Sequence, residues 1–335
     1  MARYDFASDN SAGAAPEAMA ALAAANTGYT SGYGTDVVTE RAAELVRQLL
    51  DCDADVRFVT SGTAANAVAL QALCRPFEAV VAHEHAHILT DEAGAPGFVG
   101  HGLGLVGLPG QSGKVDPEAL ERCLAEPDVS YRQAPAALSI TNATEYGTVY
   151  TAEEIGRLVG MARAKGLGVH LDGARLANAA AAGFDPRWIR ELGVDALVLG
   201  GTKAGMTSTE AIVLFDPALS RRFDARLKQA GQLPSKGRFL AAPWIGMLES
   251  GAWLRHAQHA NAMARKLADA MPYPIRHRVE ANAVFADMPE AAHERLLDKG
   301  WFVYRFNDNT VRFMCSWATT EAAIEEMGEA LRSGV

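Results

Sequence analysis

GVHLDGARLANA, residues 168–179, and ALVLGGTK, residues 196–203, decide how this chain is read. Val169–Leu171 and Ala196–Leu199 are short apolar runs of the kind that form buried strands. Each leads directly into a residue with a chemical use: the first into Asp172, the second into Gly200-Gly201-Thr202-Lys203. In an open α/β sheet, ligands sit just beyond the carboxyl ends of the parallel strands. Asp172 and Lys203 at two such ends can therefore face one pocket. The interval between them leaves room for one helical excursion. A carboxylate beside a ring nitrogen and an amine beside an aldehyde are what pyridoxal phosphate (PLP) requires of a protein.

Strands and helices alternate around this stretch. Val56–Thr60 reads as a strand, and Ser61-Gly62-Thr63-Ala64-Ala65-Asn66 opens a helix that runs to about Cys74. A glycine turn between a strand and a helix start is a phosphate-binding arrangement, because the first helical N–H groups are unpaired and aligned with the helix dipole. Ser61 and Thr63 add hydroxyls, although Ser-Gly-Thr also caps ordinary helices. Ala79–Ala82 is a strand that delivers His83, His85 and His87, with Glu92 beyond them. Alternate histidines can hold a metal on a strand face, but no cysteine or second histidine cluster adjoins them and no metal is expected. His87 is the candidate to stack on a flat cofactor, and His85 reads as a loop residue.

Leu103–Val106 and Ala136–Thr141 are further strands, and the second ends in Asn142-Ala143-Thr144-Glu145-Tyr146-Gly147. Asp116-Pro117 starts one helix, and Thr151 with Glu154 forms the capping box of another that stops near Gly166. The repeated strand–helix–strand order predicts an α/β fold with a mostly parallel sheet between helices. Ala211–Phe215 is one more strand, followed by a helix over Leu219–Lys228 and a basic, glycine-rich segment at 229–238. A long helix over Ala241–Ala270 links to a small C-terminal α+β unit. Its strands are Val284–Met288, Trp301–Phe306 and Val311–Trp317, and its helices Pro289–Lys299 and Thr319–Arg332. The expected division is a large domain over 1–245 and a small one over 246–335. Arg312 stands between apolar neighbours in the last strand, either snorkelling at an edge or binding a carboxylate.

Composition excludes several classes. The 335 residues are 49% hydrophobic and 21% charged, an ordinary globular balance for about two domains. A net charge of −9 argues against nucleic-acid or anionic-membrane partners. The four cysteines, Cys52, Cys74, Cys123 and Cys315, form no C-x-x-C pair. No basic-then-apolar leader opens the chain, and no apolar run reaches the roughly 20 residues of a membrane span. A soluble protein of the cytoplasm is expected. The glycine- and tyrosine-rich stretch near Tyr33 is either a surface loop or a segment that folds over a site, its own or a neighbour's.

FASDN, SGTAAN, AHILTDEAGAP, HLDGARLANA, GGTKAGM, KQAGQ and VRFMCSW span nearly the whole chain. Together they resemble the threonine aldolase/β-eliminating lyase family of fold-type I PLP enzymes, and within it the bacterial low-specificity L-threonine and phenylserine aldolases. The resemblance implies a seven-stranded sheet and reversible cleavage of L-threonine, L-allo-threonine or phenylserine to glycine and an aldehyde. It implies Lys203 as the Schiff-base lysine, Asp172 as partner of the pyridine nitrogen and His87 stacked on the ring. Ser61, Gly62 and Thr63 would hold the phosphate, and Arg175 would lie near the phosphate or the ring oxygen. Ser8 and Arg312 would bind the substrate carboxylate. Tyr33 and Lys228 would reach across the interface of a homodimer or homotetramer with shared sites. Many relatives carry a second active-site histidine in a stretch like N-T-H-N-G, where this chain has Asn142 to Gly147 with Glu145. The general base is thus His87, Glu145 or a water. β-Elimination or transamination on the same fold, and a noncatalytic PLP-binding protein, are the alternatives.

Overall fold

Seven of the apolar runs pair into one sheet: β1 (Asp55–Val59), β2 (Glu78–His83), β3 (Gly104–Leu108), β4 (Ala134–Thr141), β5 (Gly168–Gly173), β6 (Ala196–Gly200) and β7 (Glu210–Leu214). Their spatial order is β1-β7-β6-β5-β4-β2-β3. This computed structural model describes residues 2–306 and 308–332, so residues 1, 307 and 333–335 of the two expected domain ranges lie outside it. From β3 to β6 every pairing is parallel, as the alternating pattern requires. β7 runs antiparallel to both β6 and β1. The link between β6 and β7 contains only a short 3-10 turn, Thr202–Ala204, and a parallel return needs a crossover of a dozen residues or more.

The pleat then sorts the side chains. Leu138, Ile140, Leu171, Leu197, Leu199 and Val213 enter the main core on one face, with Trp244 and Ile155. Val198, Ile212 and Leu214 pack on the other face against Ala65, Val68 and Ala69 of the Gly62–Leu73 helix. Each such fully buried side chain contributes about 1.5–3 kcal/mol. Asp172 is in register with Val198, so it points to the face that this helix covers.

A second core gathers the C-terminal elements. β8 (Ala283–Ala286), β10 (Val311–Met314) and β9 (Tyr304–Arg305) form an antiparallel sheet in that order. Val284, Phe313 and Leu267 pack there with Met327, and so does Phe6 from the start of the chain. The Phe6 carbonyl accepts the Met314 N–H at 2.9 Å. No described helix is long and apolar enough to cross a membrane.

Two helical expectations and one strand are corrected. Ala241–Ala270 is two helices, Arg238–Glu249 and Ala252–Asp269, broken where Gly251 takes φ 68°. Pro243 sits inside the first of them. Leu219–Lys228 likewise divides into Pro217–Ser220 and Phe223–Gln229 around Arg222 at φ 58°. The strand expected over Trp301–Phe306 contains only Tyr304 and Arg305.

Candidate active site

Asp172 ends β5 with both carboxylate oxygens held: Oδ1 accepts the Ala174 N–H and Oδ2 an Asn66 amide N–H, each at 2.9 Å. Lys203 lies in the 3-10 turn directly after the neighbouring β6. The two glycines before it are required by close approach. A Cβ on Gly200 would lie 2.2 Å from the Ala174 carbonyl oxygen, and one on Gly201 would lie 2.4 Å from that of Thr209. The Gly201 N–H instead donates to Glu210 Oε2 at 2.7 Å. Among the described residues, Lys203 Nζ has no hydrogen-bond or ion-pair partner. Burial, and then Arg175, hold its amine below the ordinary lysine range, against the pull of Asp9, Asp172 and Glu210. A desolvated amine of that kind is a nucleophile in waiting.

His87 begins the short His87–Thr90 helix. Its Nδ1 lies 2.9 Å from Glu92 Oε1, and its backbone N–H donates to Glu145 Oε1 at 2.9 Å. The hydrogen bond to Glu92 raises the imidazole above its usual range, against burial. Glu92 is buried, and the same Asn66 amide that reaches Asp172 donates to its Oε1 at 2.9 Å. Glu145 also accepts from Thr141 Oγ1 at 3.0 Å, while its Oε2 is buried with no partner. Burial and then the nearby Asp172 raise the Glu145 carboxyl. His85, expected as a loop residue, bonds the Tyr146 hydroxyl through Nδ1 at 2.5 Å.

Ser61 is the N-cap of the Gly62–Leu73 helix, its Oγ accepting the Ala64 N–H at 3.3 Å. The Gly62 and Thr63 N–H groups have no acceptor among the described residues, and a Cβ on Gly62 would meet nothing within 4 Å. This open, dipole-aligned end stands about one turn from Asn66 and thus from Asp172. An anion bound there and a ring nitrogen at Asp172 fit the two ends of a PLP molecule, with the Lys203 amine between two neighbouring strand ends.

Arg175 is committed to Asp9 through two hydrogen bonds, of 2.7 and 2.9 Å, and Asn282 Nδ2 donates to Asp9 Oδ2 at 3.1 Å. Burial raises the Asp9 carboxyl, but Arg175, with Lys203 and Asn282, holds it below its usual range. Ser8 Oγ accepts the Asn10 N–H at 3.2 Å. Arg312 donates to the Ala7 carbonyl at 3.3 Å, so Ser8 and Arg312 share one neighbourhood. Its Nε is buried and unpartnered, and its guanidinium lies over the Phe306 ring at 5.3 Å. Burial and then Arg175 lower it to about 10. A buried guanidinium with a free donor fits a ligand carboxylate. Lys228 Nζ sits 4.6 Å over the ring of Tyr33, and both side chains are exposed. Among the described residues, no hydrogen bond or ion pair ties either to Asp172, Lys203 or Arg312.

Sequence reasoning gave no role to Asn66, Asp9, Asn282 or Glu210. Helical spacing was the available signal for Asn66, one turn inside the helix that Ser61 opens. Asp9 stood in FASDN beside Ser8, but nothing local pointed to a partner as distant as Arg175.

Comparison with known proteins identifies the family. Residues 5–291 match the profile of the beta-eliminating lyase family. The chain is 45% identical to the low-specificity L-threonine aldolase of a Pseudomonas species, covering 98% of this chain and 97% of that protein. It is 44% identical to the enzyme of the same name from Pseudomonas aeruginosa, over 98% and 96%. A threonine aldolase structure from Leishmania major superposes with a TM-score of 0.92 at 30% identity, over 99% of both chains. The alanine–glyoxylate aminotransferase of a Nostoc species shares the fold at 15% identity, with a TM-score of 0.71 over 100% of this chain and 95% of that one.

Proposed function

This chain belongs to the β-eliminating lyase family of PLP enzymes, and we propose that it is an aldolase cleaving L-β-hydroxy-α-amino acids to glycine and an aldehyde. L-Threonine, L-allo-threonine and phenylserine are the substrates in view. The observation that carries the reading is the Lys203 amine, free of partners and desolvated, on the strand end next to Asp172.

The residues divide the work. Gly62 and Thr63 N–H groups, with the Ser61 and Thr63 hydroxyls, would hold the cofactor phosphate at a helix start. Asp172 would keep the ring nitrogen protonated, and His87 would pack against the ring. When bound, the cofactor supplies an aldehyde carbon that takes an amine and a ring that takes up the electron pair released as Cα–Cβ breaks. Arg312, with Ser8 beside it, takes the substrate carboxylate and fixes the orientation of Cα. Glu92 keeps the His87 proton on Nδ1, which leaves Nε2 to accept the proton of the β-hydroxyl. One proton leaves that oxygen and one is gained at Cα, so the products balance as glycine and aldehyde. Glu145 Oε1 is already engaged by the His87 N–H and the Thr141 hydroxyl, which favours His87 as the base.

The exposure of Tyr29, Tyr33, Val37 and Lys228 supports a homodimer or homotetramer in which a second copy would complete a shared site. The unpaired cysteines suit the cytoplasm. The test is incubation with threonine, allo-threonine and phenylserine. Glycine and the matching aldehyde are expected. Ammonia with the matching 2-oxo acid, 2-oxobutanoate from either threonine or phenylpyruvate from phenylserine, would make it a β-eliminating enzyme instead, and a colourless protein that takes up no PLP would overturn the reading altogether.

A further inference from the structure

The geometry points to Asn66 as a positioning residue that ties the His87–Glu92 pair to Asp172, so that the proton at the imidazole and the charge at the ring nitrogen are set together. This rests on the aldolase reading and adds a residue that the motifs did not assign. One amide nitrogen, Asn66 Nδ2, lies 2.9 Å from Glu92 Oε1 and 2.9 Å from Asp172 Oδ2. Its two hydrogens thus go to two different carboxylates, and Glu92 Oε1 is the same atom that faces His87 Nδ1. Asn66, Glu92 and Asp172 are all buried, so water does not screen the three groups from one another.

The remaining atoms fix the direction of the link. Asn66 Oδ1 and Glu92 Oε2 are buried without partners among the described residues. Turning the amide over would set its carbonyl oxygen against two carboxylates, so the donor end is held where it is. Two like charges sharing one donor are the arrangement in which removing the donor favours a shared proton. Lys203 and Asp172 also act on His87, one lowering and one raising it, and Glu145 accepts its backbone N–H. The Ala174 N–H is the other donor to Asp172, but it is backbone and cannot respond to Glu92.

The experiment follows the absorbance of bound PLP against pH, beside the pH profile of kcat/KM, in the holoenzyme and in Asn66→Ala and Glu92→Gln. In the parent protein the spectrum is expected to hold constant from about pH 6 to 8. In Asn66→Ala it is expected to titrate within that window, and the acid limb of kcat/KM to move by about one unit, a tenfold change in proton affinity. Glu92 makes no hydrogen bond to Asp172 among the described residues and, apart from the shared Asn66 amide, meets it only through space, and Glu92→Gln is expected to move the spectral titration as well. This variant keeps the test decisive should Asn66→Ala fail to fold. A Glu92→Gln spectrum that superimposes on the parent's at every pH, with only the rate profile altered, overturns the link. So does an Asn66→Ala protein that is parental in both. A parent protein that binds no PLP is the separate outcome that defeats the aldolase reading itself.

Discussion

Asp9 and Arg175 stand 166 positions apart and meet in a bidentate pair, Nε to Oδ2 at 2.7 Å and a terminal nitrogen to Oδ1 at 2.9 Å. The Asp9 side chain is fully buried, and that of Arg175 is 11% exposed. Removing one partner leaves a buried charge alone. Asp9→Ala should therefore destabilise the fold by about 3–5 kcal/mol, read from denaturant midpoints. The pH dependence has a fixed sign. The folded-state value of Asp9 is depressed, so its contribution is present above the unfolded value of about 3.9 and is lost as pH falls through the folded value. The gap between parent and variant should narrow in acid. A gap that widens there would refute the pairing as a source of stability.

Lys203→Ala should abolish turnover together with the covalent absorbance of the cofactor. Retention of full aldolase activity would remove this lysine from the chemistry.

Arg312 offers a buried, unpaired donor. Arg312→Ala should raise KM for the amino acid by about ten- to a hundredfold, the worth of a charge-assisted hydrogen bond of about 1.5–3 kcal/mol. Arg312→Lys should restore little, since an ammonium lacks the planar fork. An unchanged KM would assign the substrate carboxylate elsewhere.

Glu145→Gln keeps an acceptor for the His87 N–H and for Thr141. With His87 as base, kcat should fall by no more than about tenfold; a loss of about a thousandfold would make Glu145 the base. The raised carboxyl also means that its ionised form costs stability above the unfolded value. The variant should gain on the parent as pH rises, measured by thermal unfolding.

Gly200→Ala puts a methyl group 2.2 Å from the Ala174 oxygen, backbone that cannot swing aside. The ends of β5 and β6 must part, taking Asp172 and Lys203 with them. Loss of PLP binding is expected, with Gly13→Ala, where nothing lies within 4 Å, as the control. Equal PLP affinity in both would show that the strand ends tolerate separation.

The parts of this molecule that were legible in the sequence are those encoded locally. Apolar runs that stop at Asp172 and at Gly200 mark two strand ends, and the polar segment after β4 marks a third. The direction of β7 was encoded too, in the shortness of its link to β6. The break at Gly251 had its signal in Ser250-Gly251, which the apolar helical pattern on either side outweighed. What could not be read was long-range pairing. Asn66 looks like a helix residue with no task until the sheet register turns Asp172 toward it. Asp9 and Asn282 acquire a meaning only once both ends of the chain lie against Arg175.

That last arrangement has a consequence for how the protein is made. The Phe6 carbonyl waits for Met314, the Ala7 carbonyl for Arg312, and Asp9 for Arg175 and Asn282. On the ribosome the first of these segments emerges before any of its partners exist. Asp172 and Lys203 are translated long before Arg312. On the roles proposed above, every group for the cofactor precedes the last group for the substrate carboxylate, so selectivity among amino acids would be acquired last.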